Sequence, residues 1–223
     1  MAIGFGTTDG TSGTDVLDTG FTGFSAQRTW AFRCRFRSGG IGTSLGRIWA
    51  SPTPDEFFAM NGGRITFFRA WGSGEVNWQI LAANTINTDY SVVLSYDSSV
   101  DINVPIAYVN GSESTLSTAA TRTSPAAVNN VGNYRIGNRP DQARGWDGWI
   151  SSFAIWNEII PANMALAISG NFSPLIYTKN LVYYNPMVVT NSPDIIGART
   201  QTLTGARSFS HPPVSFELGG AWS

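Results

Sequence analysis

The stretch Thr29-Trp30-Ala31-Phe32-Arg33-Cys34-Arg35-Phe36-Arg37 decides the fold class. Successive side chains of a strand point to opposite faces, so Trp30, Phe32, Cys34 and Phe36 share one face. Arg33, Arg35 and Arg37 share the other. The segment reads as a β-strand whose apolar side meets a core. Cys34 is then a small core residue rather than a reactive thiol. The arginine row has two readings. It is a ligand face, or it is an outward face paired with carboxylates or partner backbone, to which planar guanidinium donors are suited.

Outward from this strand, short apolar segments recur between turn residues. Strands are expected at 47–50, 57–60, 65–71, 76–81, 91–96, 102–109, 133–136, 149–156, 181–184 and 200–204. Asn110-Gly111, directly after Tyr108-Val109, is the strongest hairpin signal, because both turn positions need positive φ. One short helix is expected over 161–169, with Pro161 suited to its first turn and Gly170 to its stop. With 24 Gly and 11 Pro, the pattern is that of an all-β sandwich. A chain of 223 residues buries about 70% of its extended surface, ample for one core.

Charged residues make up 13% of the chain, with a formal net charge of −1. That is about half the usual ~25%. It argues against nucleic-acid binding through a basic patch and against an acidic disordered chain. Cys34, the single cysteine, excludes an intrachain disulfide and a cysteine zinc cluster. His211, the single histidine, excludes a multi-histidine metal site. No apolar run approaches 18 residues, so no membrane insertion is expected. Met1-Ala2-Ile3-Gly4-Phe5-Gly6 has no basic region leading into an apolar stretch, so no secretory signal peptide is expected.

Several motifs stand in a telling order. Tyr90-Ser91-Val92-Val93-Leu94-Ser95-Tyr96-Asp97 precedes Ala107-Tyr108-Val109-Asn110-Gly111. Then come Tyr134-Arg135-Ile136-Gly137-Asn138, Trp146-Asp147-Gly148-Trp149-Ile150, Phe153-Ala154-Ile155-Trp156-Asn157 and the helix. This order resembles the laminin-G-like, concanavalin A-like family over about residues 15–184. The resemblance implies a jelly roll of two antiparallel sheets. It divides the chain into a laminin-G-like domain, 1–190, and a final strand with an extended C-terminal arm, 191–223. Where the family often carries an acidic pair after Gly-x-Ile, this chain has Ser151-Ser152. The low lysine content and the ending His211-Pro212-Pro213-Val214 also resemble modules of this fold in structural proteins of tailed bacteriophages.

Glycosidases of this fold place carboxylates close together on one strand, commonly as Glu-x-Asp-x-x-Glu, to flank one bond. None of the five glutamates, Glu56, Glu75, Glu113, Glu158 and Glu217, has an acidic residue two positions on. Asp141 and Asp147 share a Gly-rich loop with Arg139 and Arg144, where ion pairing fits better than catalysis. The reading is therefore a non-catalytic module with no cofactor. Calcium, which relatives of this fold often bind, would find its best local ligands in Asp97 and Asp101, a segment that also reads as a polar turn. Carbohydrate binding would use Trp71, Trp146 and Trp149 as stacking platforms, with Asn138 and Arg139 as polar contacts.

The main expectation is a structural or adhesive protein on a virion surface, a capsid decoration or tail-fibre component made in the host cytoplasm. It would be a homo-oligomer, a trimer first, against a viral capsid or tail protein. Its interface would use Arg33, Arg35 and Arg37 together with the apolar ends of the chain, including Phe209, Val214, Phe216 and Trp222. The alternative is an extracellular lectin-like module that binds a cell-surface glycan. A glycoside hydrolase of the same fold ranks third.

Overall fold

Alternating apolar and polar positions build two antiparallel sheets whose apolar faces close on each other. A computed structural model describes residues 2–5, 15–22, 25–36, 46–51, 56–61, 63–71, 74–82, 85, 87–99, 103–118, 132–139, 141, 144–188, 192–205 and 207–209. In chain order the strands begin with β1 (Ala2–Phe5), β2 (Val16–Asp18), β3 (Gln27–Phe36), β4 (Arg47–Ala50) and β5 (Glu56–Asn61). Next are β6 (Arg64–Trp71), β7 (Gly74–Ile80), β8 (Asp89–Asp97), β9 (Ile106–Val109), β10 (Ser112–Ser114) and β11 (Leu116–Thr118). Last come β12 (Arg135–Ile136), β13 (Gly148–Trp156), β14 (Leu181–Asn185), β15 (Thr202–Thr204) and β16 (Arg207–Phe209). The helix α1 (Ala162–Ser169) follows β13, and a 3-10 turn (Pro174–Ile176) follows α1.

Sheet A runs β10-β9-β8-β3-β13-β1-β16, with β14 also paired to β13. Sheet B runs β11-β7-β6-β5-β4-β12-β2-β15. This is a jelly-roll type sandwich, as expected. Trp30, Phe32, Cys34 and Phe36 enter the core between the sheets, as period two requires. Aromatic rings fill that space. Trp30 stacks on Trp49 at 5.4 Å, and Phe67 stacks on Trp78 at 5.6 Å. Such pairs add to the area they bury. Burial pushes the Cys34 thiol far up in pKa, which keeps it protonated and inert.

The outer face of sheet A is divided. Over one half, α1 covers Ala31, Val93, Ala154 and Trp156 with Ala165 and Ile168. Ser91 Oγ donates to the Ile168 carbonyl at 3.2 Å and seats the helix end on β8. The Asn110-Gly111 hairpin forms as expected, with φ of 49° and 81° and Val109 opposite Ser112. Gly111 also packs against Gly170, its Cβ position 3.5 Å from the Gly170 Cα, so the turn abuts the helix end. Gly148 serves close approach: a Cβ there would meet the Arg35 carbonyl oxygen at 2.1 Å.

Two expectations about the ends change. One or both ends were expected against a neighbouring subunit, with folding back as strands of the same sandwich the alternative. The N-terminal end takes the second course, since β1 lies between β13 and β16 and Ile3 and Phe5 are fully buried in the chain's own core. Their apolar side chains are covered from within, which removes the reason to seek a neighbour. Residues 192–209 supply a strand to each sheet, β15 and β16, rather than one strand alone. Phe209 pairs through its backbone with Ala2. Its side chain, and Val214, Phe216, Trp222 and His211, lie outside the described residues.

Candidate functional site

Beyond the C-terminal end of α1, the outer face of sheet A turns polar. Cross-strand register places Arg33 between Ser91 of β8 and Ser152 of β13. One pleat further along, Arg35 lies between Asp89 and Trp149. The Arg35 Nε donates to Asp89 Oδ1 at 2.6 Å, and Nη2 donates to Oδ2 to complete a bidentate pair. That hydrogen bonding raises the Arg35 pKa further. The Arg35 guanidinium also lies 5.3 Å from the half-buried Trp149 ring. On the other flank of Trp149, β1 presents Gly4, which adds no side chain. Arg33 Nη2 donates to the Phe172 carbonyl at 3.0 Å, tying β3 to the segment after α1. Beside it is a small cavity of about 10 Å³, lined by Arg33, Ser91, Ser152, Ile168, Phe172 and Pro174. A rigid sheet thus presents an indole, two guanidinium groups and a carboxylate on one face, with Ser91 and Ser152 buried beside Arg33.

A second ionic group lies inside the sandwich. Glu56 is fully buried, and its Oε2 lies 3.0 Å from Arg69 Nη1 and 3.4 Å from Arg28 Nη1. Tyr134 OH donates to the same oxygen at 3.4 Å, and Arg28 Nη2 donates to Ser98 Oγ at 2.7 Å. Charges are tolerated at such depth when they are paired. Glu56, one of the five glutamates weighed for catalysis, is therefore a structural ion. A third polar cluster shapes the return from β14. Asp194 accepts from the backbone N–H groups of Tyr184, Ile196 and Gly197 and pairs with Arg199.

The residues expected to stack on sugar separate. Trp146 is 0% exposed, edge-on to Phe36 at 6.1 Å, so its ring offers no platform. It plugs the interior at the loop that leads into β13. Asn138 is also fully buried. Its Oδ1 accepts from the Arg139 and Arg144 backbone N–H groups at 2.8 and 3.0 Å, and its Nδ2 donates to the Asp15 carbonyl at 3.3 Å. It holds the loop instead of a ligand. Arg139 is engaged with Asp141, Nε to Oδ1 at 2.7 Å. Trp71 ends β6 opposite Gly74, and its side chain lies outside the described residues. Trp149 alone of the three tryptophans is brought onto a described polar surface.

The described residues among the interface and metal candidates have partners within the chain. Arg35 recognises a carboxylate, but that of Asp89 in the same chain, and Arg33 holds backbone of its own chain. Arg37 lies outside the described residues. Asp97 accepts from the Ser99 backbone N–H at 2.8 Å and from Gln27 Nε2 at 3.0 Å. Hydrogen bonding from Ser99 is the main cause that lowers its pKa. Asp101 lies outside the described residues, and no group of three metal-ligating side chains gathers among those described.

No known family profile matches the sequence, and neither does any curated protein. Solved structures do match the fold. A heptameric SAP-like pentraxin from Limulus polyphemus superposes with a TM-score of 0.62 at 13% identity, covering 92% of each chain. A Bacteroides ovatus protein put forward as carbohydrate-binding gives 0.62 at 14% identity, covering 92% of this chain. This chain spans 58% of that protein's length. The CBM40 module of a Ruminococcus gnavus IT-sialidase, bound to α2,6-sialyllactose, gives 0.53 at 13% identity, covering 76% and 96%. Domains LG4-5 of the mouse laminin α1 chain give 0.50 at 14% identity, covering 72% and 43%. The chain has the laminin-G-like, concanavalin A-like jelly-roll fold. Function is argued from the site, because this fold hosts many activities.

Proposed function

We propose that the chain is a non-catalytic carbohydrate-binding module whose saccharide lies across the polar half of the outer face of sheet A. One observation carries this reading: Trp149, Arg35, Asp89 and Arg33 share one face of a rigid sheet, with Ser152 beside Arg33 at the cavity wall. An aromatic ring meets the apolar face of a sugar, and planar charged groups meet its hydroxyls. The carbohydrate-binding proteins of the same fold support this reading. Glu56, closed in by two arginines in the core, does not reach a substrate. These neighbours favour the lectin-like alternative over the virion-surface role.

The test is binding of the purified protein to a panel of immobilised glycans, with reducing ends measured in parallel. Retention of at least one glycan without release of reducing ends is expected. Trp149→Ala should weaken it by ~1–3 kcal/mol, a range taken from base–aromatic stacking. Retention that is indifferent to Trp149→Ala moves the ligand off this face, and release of reducing ends overturns the non-catalytic reading.

A further inference from the structure

The two exposed-face arginines differ in one respect. Arg35 has Asp89, whereas Arg33 has no carboxylate within ion-pair distance among the described residues. A guanidinium carries five N–H donors in a planar fork. Arg33 commits one nitrogen, Nη2, to the Phe172 carbonyl. Burial lowers its pKa from the ordinary guanidinium value, opposed only by Tyr184, so the charge is partly stripped of water and no acid balances it.

The neighbouring hydroxyls are unequal as well. Ser91 Oγ is engaged with the Ile168 carbonyl. Ser152 is 6% exposed and lines the same cavity, yet its hydroxyl has no hydrogen-bond partner among the described residues. An unpartnered hydroxyl that opens onto the cavity beside a desolvated cation marks a place for an acceptor. The cavity of about 10 Å³ holds roughly one water-sized atom. It admits an oxygen, not a ring.

We propose that Arg33 and Ser152 form a receptor for a carboxylate, carried by an acidic sugar whose ring stays outside the cavity over the Phe172 and Trp149 side. One carboxylate oxygen enters the cavity and accepts from Ser152 Oγ. The other accepts from the free edge of the Arg33 guanidinium. Phe172, exposed at the cavity rim, offers an apolar wall. The sugar as carrier rests on the function proposed above, while the carboxylate rests on Arg33 and Ser152.

The test titrates the full chain with matched pairs: sialyllactose against lactose, and a glucuronate-ended disaccharide against its glucose-ended parent. Sodium acetate and lactose sulfate are titrated beside them. At least one carboxylate sugar should bind about tenfold or more tightly than its neutral parent, as for hydrogen bonds to a charged group. Added salt should narrow that ratio. Arg33→Gln, which keeps a donor for the Phe172 carbonyl, should erase the preference, and Ser152→Ala should reduce it severalfold. Thermal melts of both variants confirm folding. Equal binding of acid and neutral sugars, or a preference that survives Arg33→Gln, overturns the carboxylate receptor and leaves the glycan reading standing. Sulfate preferred over carboxylate overturns the choice of anion. Acetate binding with no saccharide binding retires the sugar, and with it the function proposed above.

Discussion

Arg69 and Arg33 are both strand residues beside serine or acidic neighbours, yet they live in opposite settings. Arg69 is 2% exposed and meets the fully buried Glu56. Arg33 is half-buried, meets a backbone carbonyl, and has no acid near it among the described residues. The first arrangement is closed: charge, counter-charge and hydroxyl partners all come from within the chain. The second is incomplete in the same terms. Arg69 is buried with its counter-charge, and Arg33 sits at the edge of water without one among the described residues.

The largest effect should come from breaking the closed group. Glu56→Ala leaves Arg28 and Arg69 in the core without their acid, which should cost about 3–5 kcal/mol. Denaturant titration reads this directly, and Glu56→Gln should fall between that variant and the parent. A loss below about 1 kcal/mol would mean that the interior cations are not held by Glu56. A middle effect is expected where the helix is seated on the outer face. Gly111 has a φ of 81° in the turn that abuts the helix end, so Gly111→Val should cost about 1 kcal/mol or more. Unchanged stability would show that the turn adopts another conformation. The smallest effect belongs to the exposed pair. Asp89 is exposed, so Asp89→Asn should cost less than about 1 kcal/mol, and the difference should shrink in high salt. A cost as large as that of Glu56→Ala would erase the distinction between the two settings.

Period two made much of this legible. It placed Trp30, Phe32, Cys34 and Phe36 inside and Arg33 and Arg35 outside, and the Asn110-Gly111 signal located a hairpin. The same parity, carried one step further, reaches the ionic core. Arg28 shares the face of Trp30, Glu56 that of Phe58, and Arg69 that of Phe67. Charge at those positions overrides the habit of reading it as solvent-facing, so the group was not foreseen. β1 was also missed. Ala2-Ile3-Gly4-Phe5 is too short for periodicity, and its burial depends on β13 and β16, remote in sequence. Trp146 and Trp149 show the limit most plainly. Three residues apart near the same Gly-rich loop, one plugs the core and the other surfaces, and only the register of β13 against β3 decides between them.

The place of β1 also sets a timetable. Its partners are residues 148–150 and 207–209, so β1 completes its pairing only once the chain has been made as far as residue 209. At about 5–20 residues per second, Ile3 and Phe5 wait on the order of ten seconds for their seats. Pairings of such long range also slow folding in free solution. Until residues 148–150 are made, Ile3 and Phe5 lack the strand that covers one side of β1 in the folded chain.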